Sequence, residues 1–254
     1  MESRLPFFLG VGAQKGGTTT LQALLQLHPD VFLPPAKELH YFTLQFLEGE
    51  GWYREQFAAA RPDQCCGEIT PYYLFHPAAP ERIKALLPQV RLLVLLRDPV
   101  ERALSGYFHS LRLGLETLPL EQALAAEPWR LAEADAALQV QGGCHHSHQV
   151  HSYLSRSRYD QQLVRYEQCF GPAQVLILRS EDLFERPQLI WERVLRFLEL
   201  PPWPLPEAAV ARPRNAGAGE AAAVPLAVRQ WLRTQLAPTY GWLQERYGLC
   251  WQAT

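Results

Sequence analysis

The densest set of anion-binding groups in the chain is Gly12-Ala13-Gln14-Lys15-Gly16-Gly17-Thr18-Thr19-Thr20. Lys15 brings a full positive charge, and Thr18, Thr19 and Thr20 bring hydroxyl donors. Gly10, Gly12, Gly16 and Gly17 let the backbone turn its N–H groups inward around an anion. Further on, Glu38 and His40 set a carboxylate and an imidazole two residues apart among aromatics, a pairing able to take a proton from a substrate. The same spacing also describes an ordinary loop with surface charge. Arg97 and Ser105 lie eight residues apart and could grip one phosphate, the guanidinium as a fork and the hydroxyl as a donor. The alternative for them is an Arg97–Asp98 or Arg97–Glu101 ion pair beside a solvent-facing serine. Glu68 is either a second acidic group at a substrate pocket or a locally paired structural charge.

These groups need elements to hold them. Phe7-Phe8-Leu9-Gly10-Val11 is an apolar run too short for a helix core and predicts a buried strand. Leu21, Leu24 and Leu25 then recur at spacings of three and four, predicting a helix with one apolar face. Strand, glycine turn and helix make a phosphate cradle, because the helix adds its unbonded N–H groups and positive dipole end. The bland alternative is a tight strand–helix turn with no ligand. Arg91-Leu92-Leu93-Val94-Leu95-Leu96 predicts a central parallel strand. It puts Arg97 at a strand's carboxyl end, where function gathers in such sheets, and Pro99 opens a helix. Short strands are also expected at Val31-Phe32-Leu33, Cys65-Cys66-Gly67-Glu68-Ile69 and Gln174-Val175-Leu176-Ile177-Leu178. Helices are expected near Gly51–Phe57, Pro80–Leu87, 118–141, from Ser157 onward, Pro187–Leu200 and 224–247.

The order of residues excludes two common cradles. The ATP-type loop ends Gly-Lys-[Ser/Thr], whereas here the lysine precedes the glycines. The dinucleotide fingerprint fails because Lys15 stands where its third glycine belongs. The stretch instead closely resembles the 5′-phosphosulfate loop of sulfotransferases that use 3′-phosphoadenylyl sulfate (PAPS). Its Gln-Lys-x-Gly-Thr-Thr form is typical of the branch related to heparan sulfate sulfotransferases. Arg-Asp-Pro-x-x-Arg-Ala-x-Ser-x-Tyr at 97–107 resembles the same family's 3′-phosphate motif, and Lys37-Glu38-Leu39-His40-Tyr41-Phe42 resembles its Lys-Glu-x-His-Phe-Phe. The resemblance covers nearly the whole chain. It implies an α/β fold with a P-loop-like central parallel β-sheet flanked by helices, as one domain over 1–254. It also implies transfer of a sulfuryl group from PAPS to a hydroxyl or amine, leaving adenosine 3′,5′-bisphosphate (PAP). The resemblance assigns the donor to Lys15, Gly16, Gly17, Thr18, Thr19, Thr20, Arg97 and Ser105. Its catalytic set is Glu38 as general base with Lys15, His40 and Glu68. Two positions depart from the family: Thr43 stands where an aspartate is frequent, and Ile69 stands where a lysine does.

Arg212-Pro213-Arg214-Asn215-Ala216-Gly217 is a glycine-containing basic loop. It suits either closure over the nucleotide, through Arg214, Asn215 and Gly217, or plain disorder. Between Cys144 and His151 lie four histidines and a cysteine that could bind zinc, face the substrate or simply be solvated. Ligands packed so closely in one loop lack the second arm of a typical zinc site, so no metal is assigned. A net charge of −2 argues against a nucleic-acid partner. No apolar run approaches the ~20 residues that span a bilayer. Five cysteines without a Cys-x-x-Cys pattern favour a reducing cytoplasm. The expected acceptor is a small molecule or a carbohydrate. One rival is a nucleotide-kinase-like enzyme with magnesium on Thr18 and Asp98. The other is a sulfotransferase fold kept only for binding.

Overall fold

The computed structural model describes residues 4–205 and 221–251. Five strands, β1 (Phe8–Gly12), β2 (Val31–Phe32), β3 (Cys65–Ile69), β4 (Arg91–Leu96) and β5 (Val175–Arg179), form one parallel sheet in the order β2-β3-β1-β4-β5. A parallel sheet is covered on both faces, which is why β4 runs unbroken through five apolar residues, Leu92 to Leu96. Alternate residues of β1 and β4 serve opposite layers. Leu9, Val11, Leu92, Val94 and Leu96 pack under the helices Ala79–Leu86, Tyr159–Cys169 and Ala237–Tyr247. Phe8, Leu93 and Leu95 pack under helix α1 (Thr18–Gln26) and the helix Pro187–Phe197. Leu93 and Leu95 are fully buried, and each contributes roughly 1.5–3 kcal/mol by leaving water.

The strand order fixes where a ligand can sit. From β1 the chain runs through α1 to β2 on one side, whereas β4 is followed in the sheet by β5 on the other. The crevice between the carboxyl ends of β1 and β4 is therefore the switch point at which such sheets bind ligands. The loop after β1 is locked onto the end of β4: Ala13 N donates to Leu95 O at 2.8 Å. A Cβ at Gly16 would collide with that same carbonyl, so only glycine fits. Gly17 caps α1 with φ of 92°, the left-handed region that glycine adopts without penalty.

Three expected elements differ in detail. The expected helix over 118–141 is two helices, Leu120–Arg130 and Ala134–Gln139. Pro128 removes one backbone N–H from the first, which ends two residues later. The last helix is also two, Leu226–Gln235 and Ala237–Tyr247, because Pro238 suits only a first turn. The histidine loop contains a short helix, His146–Val150.

Candidate active site

The Lys15 loop is built as the sequence predicts, with the hydroxyl-bearing residues Thr18, Thr19 and Thr20 in the first turn of α1. The first N–H groups of a helix have no intrahelical carbonyl to bond, so they face the crevice as donors. Lys15 has φ of 68°. Its ammonium is pushed down to about 8 by burial first, then by the charges of Arg112, Arg97, Arg102 and Lys37. Crowded cations with so few anions among them are the electrostatic imprint of a polyanion site.

Lys37 joins this loop to the candidate base. Its ammonium donates to Thr19 Oγ1 at 2.8 Å and lies 3.7 Å from Glu38 Oε1. Glu38 Oε2 is in turn 3.7 Å from His40 Nε2. Burial alone would raise the Glu38 carboxyl, but the His40 contact and the Lys37 charge hold it below the usual range, so it is ionised and able to accept a proton. Glu38 and His40 adopt φ of 57° and 55°, so with Lys15 three of the predicted catalytic residues have left-handed backbone. Non-glycine residues held there are characteristic of functional sites, because the surroundings must over-determine them. Thr43 takes up part of the place of the family's aspartate. Its Oγ1 is 3.2 Å from His40 Nδ1, which leaves Nε2 facing Glu38.

Glu68 is placed differently. It is 2% exposed and accepts hydrogen bonds from Tyr53, Tyr73 and Thr70, each at 2.8 Å. Burial raises its carboxyl, while the three hydroxyls pull it down. Of the two readings open for Glu68, the geometry is that of local pairing, and Glu68 does not line the cavity beside Glu38. Its link to the site is indirect, through Thr70, whose Oγ1 lies 3.4 Å from the His40 backbone N.

Arg97 follows β4 at the switch point, beside the Lys15 loop. It keeps a 3.7 Å contact with Glu101, the ion pair named as its alternative. Ser105 does not face solvent; it is 8% exposed on the helix Pro99–Arg112. Asp98 caps this helix: Oδ1 accepts from Glu101 N at 3.0 Å and Oδ2 from Tyr240 OH at 2.8 Å. Both Asp98 oxygens thus already serve the start of this helix and its packing on Tyr240. Arg214, Asn215 and Gly217 lie outside the described residues.

The histidines near residue 145 take different partners, although the His146 and His151 rings lie 5.6 Å apart. His148 is buried, stacked on Phe75 at 4.0 Å, and its Nδ1 is 2.7 Å from Tyr72 OH. Burial, then the Arg156 charge, pushes it down to about 2, so it stays neutral. His151 Nε2 instead lies 2.9 Å from Leu115 O.

A cavity of about 190 Å³ opens between Glu38, His40, Gln14, Tyr72, His109 and Arg156. Four of these, Gln14, Tyr72, His109 and Arg156, carried no predicted role. Arg112 and His109 continue the stripe begun by Arg102 and Ser105 at helical spacing, a signal that could have found them. Arg156 is 50 residues or more from every predicted site residue before it, and no local pattern announces it.

A family model described as "Sulfotransferase domain" matches residues 7–209. The chain belongs to the sulfotransferase family. Human heparan sulfate glucosamine 3-O-sulfotransferase 6 is 41% identical over 108 residues, 42% of this chain and 31% of that protein. Mouse heparan sulfate glucosamine 3-O-sulfotransferase 5 is 29% identical over 205 residues, 78% of this chain and 55% of that protein. The chain thus spans no more than about half the length of these relatives. The crystal structure of a sulfotransferase from Alicyclobacillus acidocaldarius superposes with a TM-score of 0.78 at 26% identity, covering 95% of each chain. The sulfotransferase fold expected from the sequence is therefore the fold of this chain.

Proposed function

We propose that this sulfotransferase domain uses PAPS as donor and Glu38 as general base. The observation that carries the reading is the Lys37 bridge, which sets Glu38 one ammonium away from the Thr19 end of the anion loop. The sulfate and 5′-phosphate of the donor fit the Lys15 loop and the α1 N-terminus. The 3′-phosphate fits Arg97 and Ser105 on the adjoining strand and helix. In the transfer, the acceptor oxygen attacks sulfur and gives its proton to Glu38. The bond from sulfur to the phosphate oxygen breaks, and PAP leaves with the electron pair. Charge grows on that bridging oxygen, where Lys15 and the loop amides stabilise it. His40 orients Glu38 from its far side. The cytoplasmic location is proposed on the five free cysteines alone.

Binding tests the donor. PAP raises the melting temperature in the presence of EDTA, and ATP with magnesium does not. Stabilisation by Mg-ATP alone overturns the assignment in favour of a kinase-like enzyme.

A further inference from the structure

The heparan-sulfate relatives are named for an acidic polysaccharide, and the mouth of the cavity beside Glu38 is unsuited to one. Five of its lining residues are apolar, Leu44, Pro71, Leu113, Leu115 and Val150, and Leu113 and Leu115 are the ones that reach the surface. Leu113 is 58% and Leu115 39% exposed, and neither belongs to the buried core. Exposed leucines gathered at the rim of a reactive cavity mark a surface meant to be covered.

The turn that presents these leucines is held firmly. Gly114, at φ of 69°, reverses the chain, and Leu115 N bonds back to Ser110 O at 2.9 Å. His151 grips the Leu115 carbonyl from outside. Behind the turn, the buried Glu116 accepts from the Thr117 and Leu118 amides, from Tyr153 and from Arg130. Arg130 and the three hydrogen bonds hold its carboxyl down at about 2 despite burial, so it stays ionised and the anchor persists. A fixed, exposed apolar pair is preorganised to bind, not a frayed end.

Nor does the cavity offer a cation to an acidic acceptor. Arg156, the guanidinium lining it, is 3% exposed, and both of its terminal nitrogens are already committed, its Nε being buried without a partner among the described residues. It donates to Gln14 Oε1 at 2.6 Å and to the carbonyls of His148 and Gln149 at 2.8 and 2.9 Å. His109 is kept neutral by burial and by the charges of Lys15 and Arg112. Lys37 is taken up on both sides, by Thr19 at 2.8 Å and by the Glu38 carboxylate at 3.7 Å. An anionic acceptor would bring its charge against the Glu38 carboxylate, whose own partners are already Lys37 and His40. A volume of about 190 Å³ matches roughly six waters, enough for a small one- or two-ring body.

Building on the PAPS reading, we infer that the acceptor is an uncharged phenol or alcohol whose apolar body rests on Leu113 and Leu115 while its hydroxyl reaches Glu38. Labelled PAPS with 2-naphthol and with an N-sulfated heparan oligosaccharide tests it. Naphthol is expected to show at least about tenfold higher kcat/KM, the discrimination an apolar pocket can supply. Leu113→Lys raises the KM for naphthol at least about fivefold, and Leu113→Met does not, because only the first puts a charge on the apolar wall. The melting-temperature rise with PAP is the same in both variants. Equal or preferred use of the oligosaccharide overturns the inference. So does the absence of transfer to either acceptor while PAP still stabilises the protein, and that result leaves the donor reading standing. Loss of PAP stabilisation in the unaltered protein removes the donor reading, and the inference falls with it.

Discussion

Glu38 and Glu68 are the same residue type on neighbouring segments, and the structure has used them in opposite ways. Glu68 is 2% exposed on extended backbone in β3, with its oxygens filled by three hydroxyls. Glu38 is 37% exposed on left-handed backbone, its carboxylate only loosely held by Lys37 and His40 at 3.7 Å. A satisfied carboxylate rigidifies; a loosely held one is available to a substrate. The difference lies in what surrounds each residue, so availability, not acidity alone, separates a base from a fastener.

The comparison breaks most sharply on chemistry. Glu38→Gln should lower sulfate transfer at least ~100-fold with unchanged folding, and Lys15→Ala should do the same by removing the charge on the leaving oxygen. Turnover within a few-fold of the unaltered protein in either variant would refute the assigned role. Glu68→Gln acts on folding instead. Its amide NH₂ would confront hydroxyls that now donate, so urea denaturation should show a loss of about 2 kcal/mol. Unchanged stability would dissolve the contrast.

A gentler probe is pH. Lys15 loses its proton near 8 in the free protein. The charged form binds the anion, and binding raises its pKa. Above pH 8 the donor must therefore be bound together with a proton, and PAP affinity should fall about tenfold per pH unit. A flat Kd between pH 8 and 9.5, measured by calorimetry, would place the ammonium elsewhere. The smallest stability change is that of Glu38→Gly, which removes a Cβ from left-handed backbone and should gain about 1 kcal/mol, with activity lost as in Glu38→Gln. A lower melting temperature for that variant would show that the backbone there is not strained.

Much of this was legible in the chain. The Lys15 loop, β4 and Arg97 follow from local order: an apolar run, a glycine turn, and a helix start at Pro99. Glu68 was not legible, because its partners Tyr53 and Tyr73 come from other elements and only tertiary packing brings their hydroxyls to one oxygen. Arg156 was hidden for the same reason. It reaches Gln14 across 142 residues, a contact that no periodicity reports. The breaks at Pro128 and Pro238 were readable, but the helix-forming residues around them outweighed one proline in the expectation.

The left-handed trio of Lys15, Glu38 and His40 has a practical consequence. A library of variants sorted only by resistance to heat would enrich glycine at all three positions, since each change relaxes the chain. The winners of such a contest would be sturdier catalysts in name alone. Thermal hardening of this domain should therefore begin by freezing those codons and seeking gains elsewhere.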